Sequence, residues 1–233
     1  MLRYLIKRIG YMLLTLFLIA TVTFFLMKLL PGTPLSAADK LSPEQQAIVL
    51  EKYGLNDPIP VQYVRYMSGL LKGDLGVSFA FDNTPVTKIL MDRLGPSALL
   101  GFQAVIVGAI VGILLGLISS VFHNGIIDYT STIIAVLGTS IPSFIFAGLL
   151  QYLFAVKLEL FPVALWGEPK HAILPTLALA ITPMATCARF IRTEMVEVLN
   201  SQFILTARAK GLSEVAVVFR HGLRNALIPL VTI

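Results

Sequence analysis

Four apolar stretches, at 9–30, 97–122, 129–156 and 172–190, constrain this chain more than any other feature. Each is long enough to cross the roughly 30 Å hydrocarbon core of a bilayer, which takes about 20 helical residues. Within that core an unpaired backbone N–H or C=O finds no water, so segments of this kind cross as helices. The expectation is an all-α, polytopic transmembrane helical bundle. Composition agrees, since 13% of residues are charged, about half the share usual in soluble domains. A fifth apolar stretch opens at Ala226 and reaches Ile233. It is too short to cross, which points to a chain cut short at its C-terminal end. Pro31-Gly32-Thr33-Pro34 follows the first stretch where a signal peptide would carry a small-x-small cleavage site, so that stretch reads as a retained membrane helix.

Basic residues in short loops set the orientation. Arg3, Lys7 and Arg8 precede the first span and place the N-terminus in the cytoplasm. Residues 189–225, after the fourth span, carry six basic and three acidic residues and fall on the same side. The chain then divides into an N-terminal helix at 1–30, an extracellular segment at 31–96 and a membrane core at 97–233. The extracellular segment is organised. Ser42-Pro43-Glu44-Gln45 has capping-box spacing and Gly54 supplies a stop. A second short helix is expected from Val61 to Lys72, ended by Gly73. A third starts at Thr84-Pro85 and is broken at Gly95-Pro96. Helices lying on the membrane surface and a lid packed on itself both fit these patterns.

Within the spans, Gly108, Gly112 and Gly116 form a small-xxx-small ladder that lets a second helix backbone approach closely. Tight packing is the ordinary use of such a ladder and a moving interface the other. Gly138 and Pro142 should loosen the third span, and Pro175 and Pro183 the fourth. Helix breaks at membrane depth are tolerated only beside protein or a water-lined cavity, which places these four residues near a translocation pathway. No Asp, Glu, Arg or His lies centrally in any span. Lys28 can snorkel from the end of the first, and Asp128 flanks the third. Ion-coupled carriers normally need an intramembrane ionisable group, so the energy for any uphill transport should enter from elsewhere. A self-sufficient ion-coupled carrier or channel is the competing class, and a membrane scaffold a third.

Enzyme chemistry finds little support. The single cysteine, Cys187, excludes an intrachain disulfide and any multi-cysteine metal site. His123, His171 and His221 fall in separate loops without metal-ligand spacing. No phosphate-binding loop and no Gly-x-Ser-x-Gly elbow occurs. Neither a catalytic site nor a metal or other cofactor is expected in this chain.

The segment from about 200 to 224 is different. A short helix is expected over 202–210, stopping at Gly211 in the left-handed conformation that commonly follows a helix end. Ser213 can cap the next helix, where Val215, Val218 and Phe219 recur at helical spacing. Arg220, His221 and Arg224 occupy the remaining faces. Contact with anionic lipid would explain the charge. It does not explain the glycine hinge or the apolar spacing, which suit docking into a groove on a partner. Nucleic acid is not expected, because no basic face with interleaved aromatics appears.

This connector resembles the EAA loop of ABC importer permeases in its peptide/nickel branch. In place of Glu-Ala-Ala, three residues and Gly, it reads Leu205-Thr206-Ala207, Arg208-Ala209-Lys210 and Gly211, followed by Leu212-Ser213 and a later Ile228-Pro229. The motif's Glu and first Ala are absent, so the polar contact made by that Glu does not carry over. "FFLMKLLPGTP" (24–34), "YGLNDPIPVQYVRYMSGLLKGDLGVSF" (53–79), "PVTKILMDRL" (85–94), "IPSF" (141–144) and "LFPV" (160–163) are similar to the B-type subunit of oligopeptide and dipeptide importers. The resemblance spans essentially the whole chain. It implies a type I ABC importer permease fold in the plasma membrane and a second homologous permease beside this one. It also implies two cytoplasmic ATPases, which bind the ATP and Mg²⁺, and an extracellular peptide-binding protein. Residues 205–213 would then be the contact with an ATPase. Oligopeptides are the solute expected first, with dipeptides or nickel as alternatives within the family.

Overall fold

The computed structural model describes residues 1–30, 43–81 and 83–230, and the Ser42 cap lies outside them. The chain forms two compact units, Met1–Leu94 and Gly95–Ile233.

The first unit opens with α1 (Leu2–Leu29), an apolar helix in which Phe24 alone is buried. Then come α2 (Pro43–Lys52) and α3 (Ile59–Leu71). Gly54 (φ 62°) and Gly73 (φ 75°) follow the latter two in the left-handed conformation that glycine adopts without steric cost. Aromatic rings hold α3 to α1. Phe24 lies 5.4 Å from the Tyr63 ring and 5.5 Å from that of Tyr66, and Phe25 stacks on Tyr63. The hydroxyls of Thr21 and Tyr63 meet at 2.8 Å. Lys28 does not reach outward alone: its Nζ donates to Gln62 Oε1 and sits over the Phe24 ring. A two-residue antiparallel ladder, β1 (Val77–Ser78) with β2 (Thr84–Pro85), completes the unit.

The helix expected to stop at Gly95-Pro96 does not stop. It continues as α4 (Val86–Val121), so the third short helix and the second span are one element. Pro96 removes a single hydrogen bond, the one to the carbonyl of Asp92. Residues 91–95 are exposed, so that loss falls where the helix is least dependent on protein contacts.

In the second unit, the third expected span proves to be two helices. α5 (Ile126–Ser140) and α6 (Ser143–Leu150), which continues as a π-helical stretch to Lys157, meet at 104°. Pro142 explains the site of the bend. The residue before a proline is driven from helical to extended backbone, and Ile141 takes φ −86°, ψ 122°. Gly138 is not itself part of the break; it lies inside α5 with Ile181 and Ala185 3.3 Å from where a Cβ would be. The fourth span also departs from expectation. α7 (Pro169–Leu199) runs unbroken through both Pro175 and Pro183. It starts on a reciprocal cap in which the Glu168 amide donates to His171 Nδ1 at 3.1 Å, with Pro169 at the first position. Three described helices, α1, α4 and α7, are thus long and apolar enough to cross a bilayer singly, and α5–α6 passes that test only as a bent pair.

The glycine ladder packs α4 onto α7. A Cβ on Gly108 would fall 2.6 Å from the Ala180 carbonyl oxygen and one on Gly116 2.5 Å from that of Ala188, while Gly112 faces the Met184 carbonyl. Gly108 also leaves room for the Pro183 ring. Near one end of this contact Thr176 Oγ1 donates to Gln103 Oε1 at 3.0 Å. Towards the other, Leu117, Ile191, Met195 and Ala226 form a buried apolar cluster.

Candidate functional site

Beyond α7 the chain turns at Asn200-Ser201 into α8 (Gln202–Ala209). Ile204 and Ala207 face inward and, with Val217, make a small core against Val198 and Leu212. Gly211 (φ 79°) turns the chain, as its amide bonds the Arg208 carbonyl at 2.9 Å and that of Leu212 bonds Ala207 at 3.3 Å. Ser213 Oγ then accepts from the Ala216 amide at 3.4 Å and starts α9 (Glu214–Ala216). Across the turn the Arg208 guanidinium donates two hydrogen bonds to Glu214, at 2.9 and 3.1 Å.

α9 continues as a π-helical stretch, Val217–Leu223, and then as α10 (Arg224–Leu230). The wider π turn shifts the phase of the faces. Among Val215, Val218 and Phe219, which share helical spacing, only Val218 packs against the core. Val215 (69%) and Phe219 (53%) are exposed, and the inward positions pass to Val217 and Gly222. Gly222 closes the loop onto α7: a methyl there would sit 3.1 Å from Met195 Cε and 3.3 Å from Leu199 Cδ2.

Residues 205–213 are therefore brought into one protrusion, with differing roles. Leu205, Thr206, Arg208, Ala209, Lys210, Gly211 and Ser213 are exposed, and Leu212 is half-buried. Ala207, expected as a partner contact, is buried in the loop's own core. Phe203 (45% exposed), Leu205 (52%), Val215 and Phe219 supply the apolar outer surface. Burial of large apolar groups is normally favourable, and these four sit on a loop that already has its own core. The basic residues Lys210, Arg220 and Arg224 are exposed with them.

A second constellation went unrecognised in the sequence. Asp128, in the first turn of α5, is 1% exposed and accepts four hydrogen bonds. Arg192 supplies two, Nε to Oδ1 at 2.5 Å and Nη2 to Oδ2 at 2.7 Å. Ser119 Oγ donates at 2.5 Å and the Asn124 amide at 2.9 Å. His123 Nδ1 lies 3.3 Å from Oδ2. The available clue was that Asp128 and Arg192 flank two different apolar stretches on the same expected side of the membrane.

Of the expected pathway residues, Gly138 packs on Ile181 and Ala185, to either side of Pro183 in α7. Pro142 lies at the bend, and Pro175 lines a cavity of about 220 Å³ together with Gln151, Val163, Leu165 and His171. Gln151 Nε2 donates to the Val163 carbonyl across this cavity's margin at 2.6 Å. Among the described residues no cluster of His, Cys, Asp or Glu is arranged to hold a metal ion.

Residues 108–233 match the family described as the inner membrane component of binding-protein-dependent transport systems, and residues 1–100 match its N-terminal membrane component. The chain is 46% identical to the dipeptide transport system permease protein of Lactococcus lactis, over all of this chain and 77% of that protein. It is 43% identical to the dipeptide permease protein of Bacillus subtilis, again over the whole chain and over 76% of that relative. The oligopeptide transport system permease protein of Salmonella typhimurium is 40% identical over the same shares, 100% and 76%. With its apolar helices and helical core, the chain is an integral membrane protein that belongs to the family of inner membrane components of binding-protein-dependent transport systems and has the type I ABC importer permease fold.

Proposed function

We propose that this chain is the permease subunit of an ATP-driven importer that moves short peptides across the plasma membrane by alternating access. The N-terminus is cytoplasmic, the segment after α1 is extracellular, and the 200–224 loop lies on the cytoplasmic face. Two ATPase subunits binding ATP and Mg²⁺ supply the energy, a second homologous permease completes the pathway, and an extracellular binding protein delivers the peptide. This chain contributes transport and no catalysis. The observation that carries the reading is the protrusion itself, a self-cored helix–Gly211–helix loop with Phe203, Leu205, Val215 and Phe219 left outward. An amphipathic helix with such anchors suits a groove on a protein. A lipid anchor would need neither the Gly211 turn nor the Arg208–Glu214 brace. ATPase closure displaces this loop, and α7 carries the movement to α4 and α5.

The relatives at 46% and 43% identity are named for dipeptides and that at 40% for oligopeptides, so dipeptides and oligopeptides are the solutes to test together. The experiment is affinity purification of the tagged chain with its co-expressed neighbours, followed by uptake in proteoliposomes. A stable assembly with a second permease and two ATPases, importing labelled peptide only with ATP, is expected. Peptide uptake by the chain without any ATPase would overturn the proposal.

A further inference from the structure

The pairing of Asp128 with Arg192 joins residues 64 apart in the chain, and it does so at a mechanically informative place. Arg192 lies about two helical turns before the end of α7, from which the 200–224 loop hangs. Asp128 starts α5, which runs roughly 20 Å to the bend at Ile141-Pro142. Along that length α5 presents small residues to α7, Ala135 and Gly138 against Ile181, Ala185 and Ala188. Such surfaces let the backbones approach closely, but these apolar contacts supply no hydrogen bond of their own to fix the register.

The ion pair is directional. The Arg192 fork engages both carboxylate oxygens of Asp128, and bidentate pairing of this kind fixes angle as well as distance. Ser119 ties the same carboxylate to the last turn of α4, and the Asn124 amide ties it to the α4–α5 turn, where Asn124 takes φ 59°. One buried carboxylate thus binds three elements. Every buried side-chain polar atom among the described residues has a partner, so the cluster has no unmet demand that would call for a ligand.

Resting on the importer reading above, we propose that Asp128 and Arg192 are a positioning pair. They lock the register of α5 against α7, so that displacement of the 200–224 loop reaches the Ile141-Pro142 bend instead of being lost as slippage between the helices. The pair contacts no peptide and no nucleotide; it acts through the helices that it holds.

The test compares wild type with Arg192→Lys, which keeps the charge but not the fork, and Asp128→Asn, which keeps the shape but not the charge. Thr193→Ala, next to Arg192 on α7 but with its exposed hydroxyl bonded to the Arg189 carbonyl and not to the cluster, serves as the control. The assembled complex is reconstituted in proteoliposomes and both peptide uptake and ATP hydrolysis are measured. Arg192→Lys and Asp128→Asn should lower peptide imported per ATP by about tenfold, with ATP hydrolysis within about twofold of wild type and Thr193→Ala near wild type. A proportional fall in both activities marks a merely structural role and overturns the inference, as does an unchanged ratio.

Hydrogen exchange on the same samples reads the lock without reference to transport. Amides of 122–130 should exchange about tenfold faster in Arg192→Lys, while those of 108–116 keep their protection. Wild-type complex that imports no peptide would refute the importer reading. The exchange data would then decide the lock alone, equal protection at 122–130 overturning it.

Discussion

The closeness of α4 to α7 sets the size of one expected effect. A Cβ at Gly108 or Gly116 would lie 2.6 or 2.5 Å from a carbonyl oxygen of α7, and Gly112 is held as closely to Met184. Restoring an ordinary contact of 3.4 Å moves the helices apart by roughly 0.8–0.9 Å, enough to forfeit a quarter to a half of each dispersion contact along the seam. Overpacking of this kind costs about 1–3 kcal/mol, against which Ala returns up to about 1 kcal/mol of helix propensity over Gly. Gly101, in the same helix with nothing within 4 Å of its would-be Cβ, gains the propensity without the clash. The difference between Gly112→Ala and Gly101→Ala therefore isolates the steric term, expected at about 1–3 kcal/mol. Equilibrium unfolding of the purified chain in mixed micelles measures it. Since a single separation relieves all three glycines, Gly108→Ala added to Gly112→Ala should cost clearly less than the sum of the two. Equal stability of the Gly112 and Gly101 variants, or strict additivity along the ladder, would refute rigid-body contact between these helices.

Three further outcomes concern the protrusion. Gly211→Val should strain the loop by about 1–2 kcal/mol through backbone conformation alone, because no atom lies within 4 Å of the added Cβ. Coupled uptake should fall, with Gly211→Asn milder, and unchanged coupling in the valine variant would remove the turn from the mechanism. Phe203→Ser with Phe219→Ser should leave the thermal midpoint of the chain unchanged and abolish co-purification of the ATPases, since both rings are exposed; retained ATPase binding would move the docking surface elsewhere. Arg208→Ala breaks a brace whose partners are 41% and 66% exposed, so its stability cost should stay below about 1 kcal/mol. A larger loss in a melting experiment would mean the turn depends on the brace more than on Gly211.

Much of the protrusion was legible in the chain because its determinants are local. Gly211 and Ser213 act within a few residues of themselves, and the positions of the turn and cap follow from backbone conformation and side-chain reach. The π-helical stretch was not legible. It displaces Val217 into the core and leaves Phe219 outside, because the loop has to close Gly222 onto Met195 and Leu199 of a helix far back in sequence. The same holds for Asp128. Hydropathy places it at the border of a span, but only the approach of α7 supplies the guanidinium that permits its burial.

The prolines divide the two kinds of information most plainly. Apolar length alone determined that this is a helical membrane protein, because a bilayer leaves the backbone no other partners over such segments. Which prolines end a helix was a tertiary decision. A proline within a helix costs about 3 kcal/mol, a sum that packing can outweigh. At Pro183 the bare backbone of Gly108 makes room for the ring and α7 continues. At Pro142 the helix ends, Ile141 turns to extended backbone, and the two halves part at 104°.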